Sequence, residues 1–308
     1  MNELDSSTRS PTLRAPSTPD VRLDDLWDFA KPVDSALRFA NAAQDAGLAG
    51  DINCELEALT QQARGLGLAG EYDWANSILD TVERRLGSAR NCRPAVRVKL
   101  ERGRALNSAK QPTLAKPLFV EAWEMARAGG EDGLAVDAAH MVAITSVAEP
   151  DVALAWNLSA LEFAEHSQQV DARRWLGSLY NNIGWTYFEK GNYQQALDVF
   201  ERAVAFRQQE GASKPLLVAK WCVARTLRAL NRATEALNVQ RLILREHDAA
   251  GIAPSGFVYE ELGECTLALG SPGHQALFRR AHAILSQDKA FAERESGRVE
   301  RLRQLGQS

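Results

Sequence analysis

Apolar and small residues recur along this chain at helical spacing, in blocks that return about every forty residues. The clearest block carries two apolar helical faces in succession. The first is made of Tyr180, Ile183, Gly184 and Tyr187, and the second of Ala196, Phe200 and Ala203. Steps of three and four residues are typical of an amphipathic helix, and two such faces in succession indicate a helix pair. The pattern therefore predicts an array of helix pairs.

The same offsets return elsewhere in the chain. Around Gly103, four residues stand at the distances found in the clearest block: Leu106, Ala115, Phe119 and Ala122. Weaker copies centre on Ala63, Met141, Ala224 and, one residue out of step, Gly263. A small residue at the centre of the first helix lets the paired helices approach closely, and each pair then buries its apolar face against its neighbours.

Backbone-permissive residues fall between the two predicted helices of four blocks. They are Gly70-Glu71, Gly191-Asn192, Asn231-Arg232 and the segment Gly270 to Gly273. Three prolines, Pro94, Pro215 and Pro254, each lie nine residues before a block centre, where a helix can begin without needing the missing N–H. Pro117 instead falls inside a predicted second helix, so the boundaries of the blocks centred on 103 and 141 are not fixed.

These residues resemble the tetratricopeptide repeat, most closely over 177–210. The resemblance implies an all-α, right-handed superhelical solenoid of antiparallel helix pairs, with about six repeats and helical caps. We divide the chain into a disordered N-terminal tail at 1–20, an N-terminal helical cap at 21–50, the repeat array at 51–285 and a C-terminal capping helix at 286–308. The spacing exceeds the usual thirty-four residues, which predicts longer helices or connections.

Composition narrows the class of protein. Hydrophobic residues make up 45% and charged residues 25%, as in ordinary soluble proteins. A net charge of −4 gives no general attraction to nucleic acid. No apolar run reaches the roughly 20 residues of a membrane span, and the first twenty residues lack a secretory signal, so we expect a cytoplasmic protein. The four cysteines form no C-x-x-C pair and are expected to be reduced.

Candidate catalytic motifs do not hold together. Residues 65–70 spell G-x-G-x-x-G, but a dinucleotide site needs a strand before this motif, and 55–64 is predicted helical. Ser286 and Lys289 form an S-x-x-K without its partner motifs. The five histidines lack metal-ligand spacing. We therefore predict no enzyme activity, no cofactor and no metal.

The resemblance implies that ligands bind in the groove lined by the first helix of each repeat. There Asn182 stands where related repeats often hydrogen-bond a peptide backbone. The predicted groove residues are Arg64, Arg97, Arg104, Asn181, Asn182, Trp185, Trp221, Arg225, Arg228, Glu260, Glu261 and Glu264. Two alternatives stay open: each arginine could lie on a solvated helix face or be an intramolecular ion-pair partner, and Trp185 and Trp221 could pack between helices.

The predicted function is that of a non-enzymatic adaptor or scaffold that binds a protein or an extended peptide. Arginines in the groove favour a partner with an acidic segment or a C-terminal carboxylate, and neither nucleic acid nor membrane is expected. The alternative is a regulatory sensor whose superhelix binds a signalling peptide or small ligand and acts through another protein.

Overall fold

The computed structural model describes residues 23–87, 92–211 and 213–307, and every regular element within these ranges is a helix. The chain divides into two compact units, Met1–Ser88 and Ala89–Ser308. The predicted tail at 1–20 and the first two residues of the predicted N-terminal cap lie outside the described residues. The all-α prediction is confirmed.

The first unit contains a short 3-10 helix, Leu23–Leu26, followed by α1 (Pro32–Ala49), α2 (Ile52–Leu68) and α3 (Tyr72–Leu86). Its core contains Phe39, Leu56 and Leu79, all fully or almost fully buried. The G-x-G-x-x-G motif lies at the end of α2, so the segment before it is a helix, as predicted. Gly65 has a packing role, because a Cβ there would lie 2.9 Å from the carbonyl oxygen of Pro32.

The second unit follows as helices and short turns. Its elements are α4 (Arg93–Ser108), α5 (Pro112–Gly129), α6 (Asp132–Thr145), α7 (Pro150–His166), α8 (Val170–Arg173), α9 (Leu176–Glu189), α10 (Tyr193–Glu210), α11 (Ser213–Ala229), α12 (Ala233–Ala249), α13 (Gly256–Ala268), α14 (His274–Leu285), α15 (Lys289–Arg294) and α16 (Ser296–Leu305). Each predicted repeat centre lies in the first helix of an observed pair: α2–α3, α4–α5, α6–α7, α9–α10, α11–α12 and α13–α14. Pro117 lies inside α5, as predicted.

Close packing at the repeat centre explains the recurring glycine and phenylalanine. A Cβ on Gly103 would come within 2.5 Å of the Phe119 ring, and one on Gly263 within 2.8 Å of the Phe278 ring. Both rings are fully buried. The aromatic ring of the second helix therefore packs directly on the glycine backbone of the first. This contact sets the distance between the two helices.

The turns between paired helices confirm the predicted positions. Gly70, Gly191, Asn231 and Gly270 all have positive φ, and Lys110 takes the same conformation in the repeat centred on 103. A left-handed residue here lets the next N–H bond back to a carbonyl of the last helical turn, which ends the first helix and reverses the chain. The positive φ of Lys110 could not be predicted from the sequence, because lysine has no preference for this conformation.

The C-terminal cap differs in one respect from the single predicted helix. It consists of α15 and α16, separated at Glu295. The carboxylate of Asp288 accepts a hydrogen bond from the Phe291 N–H and starts α15. The break lets Phe291 pack against Phe257, with ring centres 5.4 Å apart, while Leu302 is fully buried from the second helix.

Candidate functional site

Arg104, a predicted groove residue, is held within the protein by two carboxylates. Its guanidinium donates to Glu101 at 2.7 Å and to both oxygens of Asp137 at 2.5 and 2.6 Å. Burial alone would lower the pKa of Arg104, but the charges of Asp137 and Glu101 outweigh it and raise that pKa. The side chain is therefore a permanent cation that stabilises the contact between α4 and α6.

Arg225 and Arg228 converge on Glu261, whose side chain is completely buried. Arg228 donates to the two carboxylate oxygens at 2.5 and 3.1 Å, and Arg225 lies 3.5 Å from one of them. The Cys265 thiol is 3.7 Å from the same carboxylate. A buried carboxylate needs such partners because they offset the unfavourable free energy of removing its charge from water.

The other two predicted acidic residues have arginine partners from the C-terminal cap. Arg298 donates to both oxygens of Glu260 at 2.8 and 2.7 Å, and Arg301 pairs with Glu264. Of the remaining predicted arginines, Arg97 is buried in α4, and Arg64 belongs to the first unit, where it lies over the Trp27 and Phe29 rings. The charged part of the predicted site is thus largely neutralised by this chain's own residues.

The two predicted groove tryptophans pack against each other and against neighbouring helices. Their ring centres are 5.9 Å apart, and Arg225 lies 6.0 Å from the Trp185 ring and 5.6 Å from the Trp221 ring. The Trp221 indole N–H donates to the Phe257 carbonyl at 3.0 Å. The alternative that these tryptophans pack between helices is therefore what the structure shows, although both remain partly exposed.

Asn181 and Asn182 instead line an open cavity of about 440 Å³, here called the polar cavity. It lies among α6, α9, α10 and α11. Its lining residues are His140, Trp175, Gly177, Ser178, Asn181, Asn182, Phe200, Ala203, Arg207, Pro215, Val218 and Ala219. Hydrogen-bonding side chains from three helices thus face one space, and the rest of its lining is mainly apolar.

Two of these side chains are already positioned. The Asn182 amide Nδ2 lies 3.4 Å from His140 Nδ1, and the His140 ring contacts Trp175 at 5.2 Å between centres. Burial lowers the pKa of His140, against the opposing charge of Asp137. The imidazole is therefore neutral at pH 7 and can accept a hydrogen bond.

Arg207 supplies a cation to the polar cavity. Its guanidinium lies directly over Gly177, in the space that any Cβ at this position would occupy, and one nitrogen donates to Glu210 at 2.7 Å. Glycine at 177 is thus what admits the guanidinium. Five N–H groups point from this fork, so Arg207 can hold a ligand oxygen while keeping Glu210.

A second cavity, of about 390 Å³, lies on the other side of α11 and is here called the apolar cavity. The connection from α12 to α13 forms one of its walls, and the cavity is open to solvent. Its lining residues are Lys214, Leu217, Val218, Trp221, His247, Ile252, Ala253, Ser255, Phe257 and Val258. Val218 lies on the wall of both cavities, so the two are adjacent.

Of the predicted groove residues, Asn181 and Asn182 line the polar cavity and Trp221 lines the apolar cavity. The lining residues His140 and Arg207, and those of the α12–α13 connection, were not predicted. The glycine at 177 is a signal that could have been used, since it stands seven residues before the repeat centre at Gly184. The residue that faces Gly177 belongs to α10, however, and cannot be predicted from the sequence of α9 alone.

The tetratricopeptide repeat model matches residues 178–209, which is the clearest block of the sequence pattern. No curated protein sequence matches the chain. Among solved structures, apo RapI aligns with a TM-score of 0.68 and 10% identity over 91% of this chain and 82% of its own.

This chain is a TPR-like helical repeat protein.

Two further structures share the fold of this TPR-like protein. BtubC from P. vanneervenii aligns with a TM-score of 0.59 and 17% identity over 74% of this chain and 95% of its own. The apo form of the quorum sensor NprR from B. thuringiensis aligns with a TM-score of 0.54 and 15% identity over 91% and 88%. At these identities the likeness establishes the fold.

Within the described ranges, none of the helices combines the length and the apolar character that crossing a bilayer requires. The same residues contain no group of three or more His, Cys, Asp or Glu side chains arranged to hold a metal ion. All four cysteines are free of disulfides, with Cys222 and Cys265 buried.

Proposed function

We propose that this protein is a non-enzymatic, peptide-binding adaptor or regulator, and that its ligand lies across the polar cavity of the second unit. The observation that carries the proposal is the convergence of Asn181, Asn182 and Arg207 on one open space beside apolar walls. An extended peptide needs both features, since its backbone offers a donor and an acceptor per residue and its side chains need apolar contact.

The ion pairs change which residues should carry the binding. Arg104, Arg225 and Arg228 are engaged with buried carboxylates, so recruiting them for a ligand would leave those carboxylates without partners. Among the residues that the structure describes, Arg207 forms an ion pair with Glu210 alone, and the Glu210 side chain is 32% exposed. A carboxylate or backbone carbonyl of the ligand can therefore share Arg207 at small cost, and we assign the acid-binding role to this residue.

Asn182 is the second residue on which the proposal rests. Its amide offers a donor and an acceptor about one hydrogen-bond length from His140, in a wall that a peptide backbone can follow. The neutral His140 ring fixes the orientation of that amide without adding a charge. The site thus selects for main-chain geometry at Asn182 and for negative charge at Arg207.

The sensor alternative has its own support. Both cavities have the size of ligand sites rather than of flat protein interfaces. The fold is shared with NprR, a quorum sensor. An adaptor would hold its partner directly, whereas a sensor would change its affinity for a second protein once a ligand is bound.

A selected peptide tests the proposal. Random peptides displayed on phage are panned against the purified full chain, and the best binder is titrated into the wild type and four variants. We expect Asn182→Ala to weaken binding about fivefold, because a neutral hydrogen bond contributes roughly 1 kcal/mol, and Arg207→Ala to weaken it about tenfold or more. The matched controls Asn238→Ala and Arg241→Ala change exposed residues of α12 and should leave affinity unchanged.

If the selected peptides bind equally to Asn182→Ala, Arg207→Ala and the wild type, the polar cavity is not the site. Circular dichroism of each variant separates a binding defect from a folding defect. A binder that changes the affinity for a second protein favours the sensor, whereas a bound peptide that is itself part of a larger protein favours the adaptor.

A further inference from the structure

The apolar cavity has a wall composition that specifies a ligand. Leu217, Trp221, Phe257 and Val258 form its interior, with Ile252 over it from the α12–α13 connection. An apolar cavity of roughly 150 Å³ already accepts benzene, so one of about 390 Å³ has room for an apolar body about twice that size. The four apolar side chains of the interior offer water few hydrogen bonds, because the Trp221 indole N–H already donates to the Phe257 carbonyl.

The charge on this wall is of one sign. Lys214 lines the cavity and is exposed, and among the described residues no Asp or Glu lines it. Lys220, six residues further along α11, donates to both carboxylate oxygens of Glu246 at 2.5 and 2.7 Å. Lys214, by contrast, forms no ion pair with any described residue. The cavity therefore presents one uncompensated cation beside an apolar interior.

The α12–α13 connection that lines the cavity is held by a hydrogen bond to α12. His247 is 8% exposed, and its ring Nδ1 donates to the Ile252 carbonyl at 3.1 Å. The Ser255 hydroxyl makes no capping bond at the start of α13, so it can donate to a ligand at the same wall. The cavity is thus built in advance of any ligand.

We propose that the apolar cavity binds a carboxylic acid whose apolar body fills the interior and whose carboxylate pairs with Lys214. Two sources share this chemistry: a free medium-chain acid, or the C-terminal apolar residue of a peptide. The site is separate from the polar cavity and does not depend on the function proposed for it. Because Val218 lines both cavities, adjoining groups of one ligand could occupy the apolar cavity and the polar cavity together.

Calorimetric titration of the full chain with octanoate and with octanamide tests the charge requirement. Octanoate should bind saturably and octanamide about fivefold more weakly, since both carry the same apolar body but only one is charged. Lys214→Gln should reduce octanoate affinity about fivefold and leave octanamide unchanged. The matched control Lys116→Gln, on α5, should not alter either.

A filling variant tests the location. Ala253 is exposed on the wall of the cavity, so Ala253→Trp should leave the fold intact, as circular dichroism will show, and should abolish octanoate binding. Asn182→Ala and Arg207→Ala, which test the polar cavity, should leave octanoate binding unchanged. Failure of one site is thereby distinguished from failure of the other.

The source is decided with a short peptide ending in leucine, offered as the free acid and as the C-terminal amide. Binding of the acid but not the amide, lost in Ala253→Trp, supports a peptide terminus, and binding of octanoate alone supports a free acid. The proposal is overturned if no acid binds, if octanoate and octanamide bind equally, or if Ala253→Trp binds octanoate like the wild type.

Discussion

Arg228→Ala should destabilise the second unit through Glu261. The Glu261 side chain is 0% exposed and that of Arg228 is 27% exposed, with two hydrogen bonds of 2.5 and 3.1 Å between them. Burial by itself would lower the pKa of Arg228, but its bond to Glu261 outweighs this and raises that pKa. Removing the guanidinium therefore leaves the buried carboxylate with Arg225, 3.5 Å away, and the weak thiol donor of Cys265, 3.7 Å away.

The expected size follows from this geometry. Breaking a buried ion pair typically costs about 3–5 kcal/mol, and we place this case at about 2–3 kcal/mol because Arg225 compensates in part and Arg228 is partly exposed. For a unit of this size, 1 kcal/mol corresponds to roughly 2–4 °C, so Tm should fall by about 5–10 °C. Glu261→Gln on top of Arg228→Ala should recover part of the loss, because a buried neutral amide is less costly than a buried charge.

Urea unfolding followed by circular dichroism, together with calorimetric Tm values, measures all of these variants. Arg232→Ala is the matched control, because Arg232 makes a similar pair of hydrogen bonds with Glu235 on the exposed surface at the start of α12. This variant should unfold like the wild type. The reasoning is refuted if Arg228→Ala is as stable as Arg232→Ala. It is also refuted if the double variant is no more stable than Arg228→Ala.

Three further predictions concern packing, protonation and thiol access. Gly184→Ala should destabilise the protein by about 1–2 kcal/mol in urea unfolding, because its Cβ would overlap the Phe200 ring, whereas Gly297→Ala, with open space around it, should be neutral or stabilising. Burial lowers the pKa of His140 below 6.5, so its contribution to stability is present above about pH 6.5 and is lost as pH falls through the folded value. The Tm advantage of the wild type over His140→Gln should therefore shrink between pH 7.5 and 5.5. Burial raises the pKa of the Cys222 thiol to about 12, so a thiol reagent at pH 8 should label it only in urea, and labelling of the native protein would contradict this.

Part of the candidate site could be predicted from sequence and part could not. Asn182, which lines the polar cavity, could be predicted because its place in the repeat follows from its distance from Gly184 within a single helix. Arg207 was missed because it faces Gly177 only after α10 packs on α9. The ion-pair partners were missed as such because they lie about one repeat apart: 33 residues for Arg228 and Glu261, and 38 for Arg298 and Glu260.

By itself, the sequence determined the helix pairs, their turns and the repeat centres. These depend on contacts inside one pair, such as Gly103 against Phe119, and a fixed offset of sixteen residues is enough to reveal them. Only the tertiary structure decided which charges are paired and where the cavities lie. Those properties depend on how one repeat stacks on the next, and an arginine facing a ligand has the same local sequence as an arginine facing a buried carboxylate.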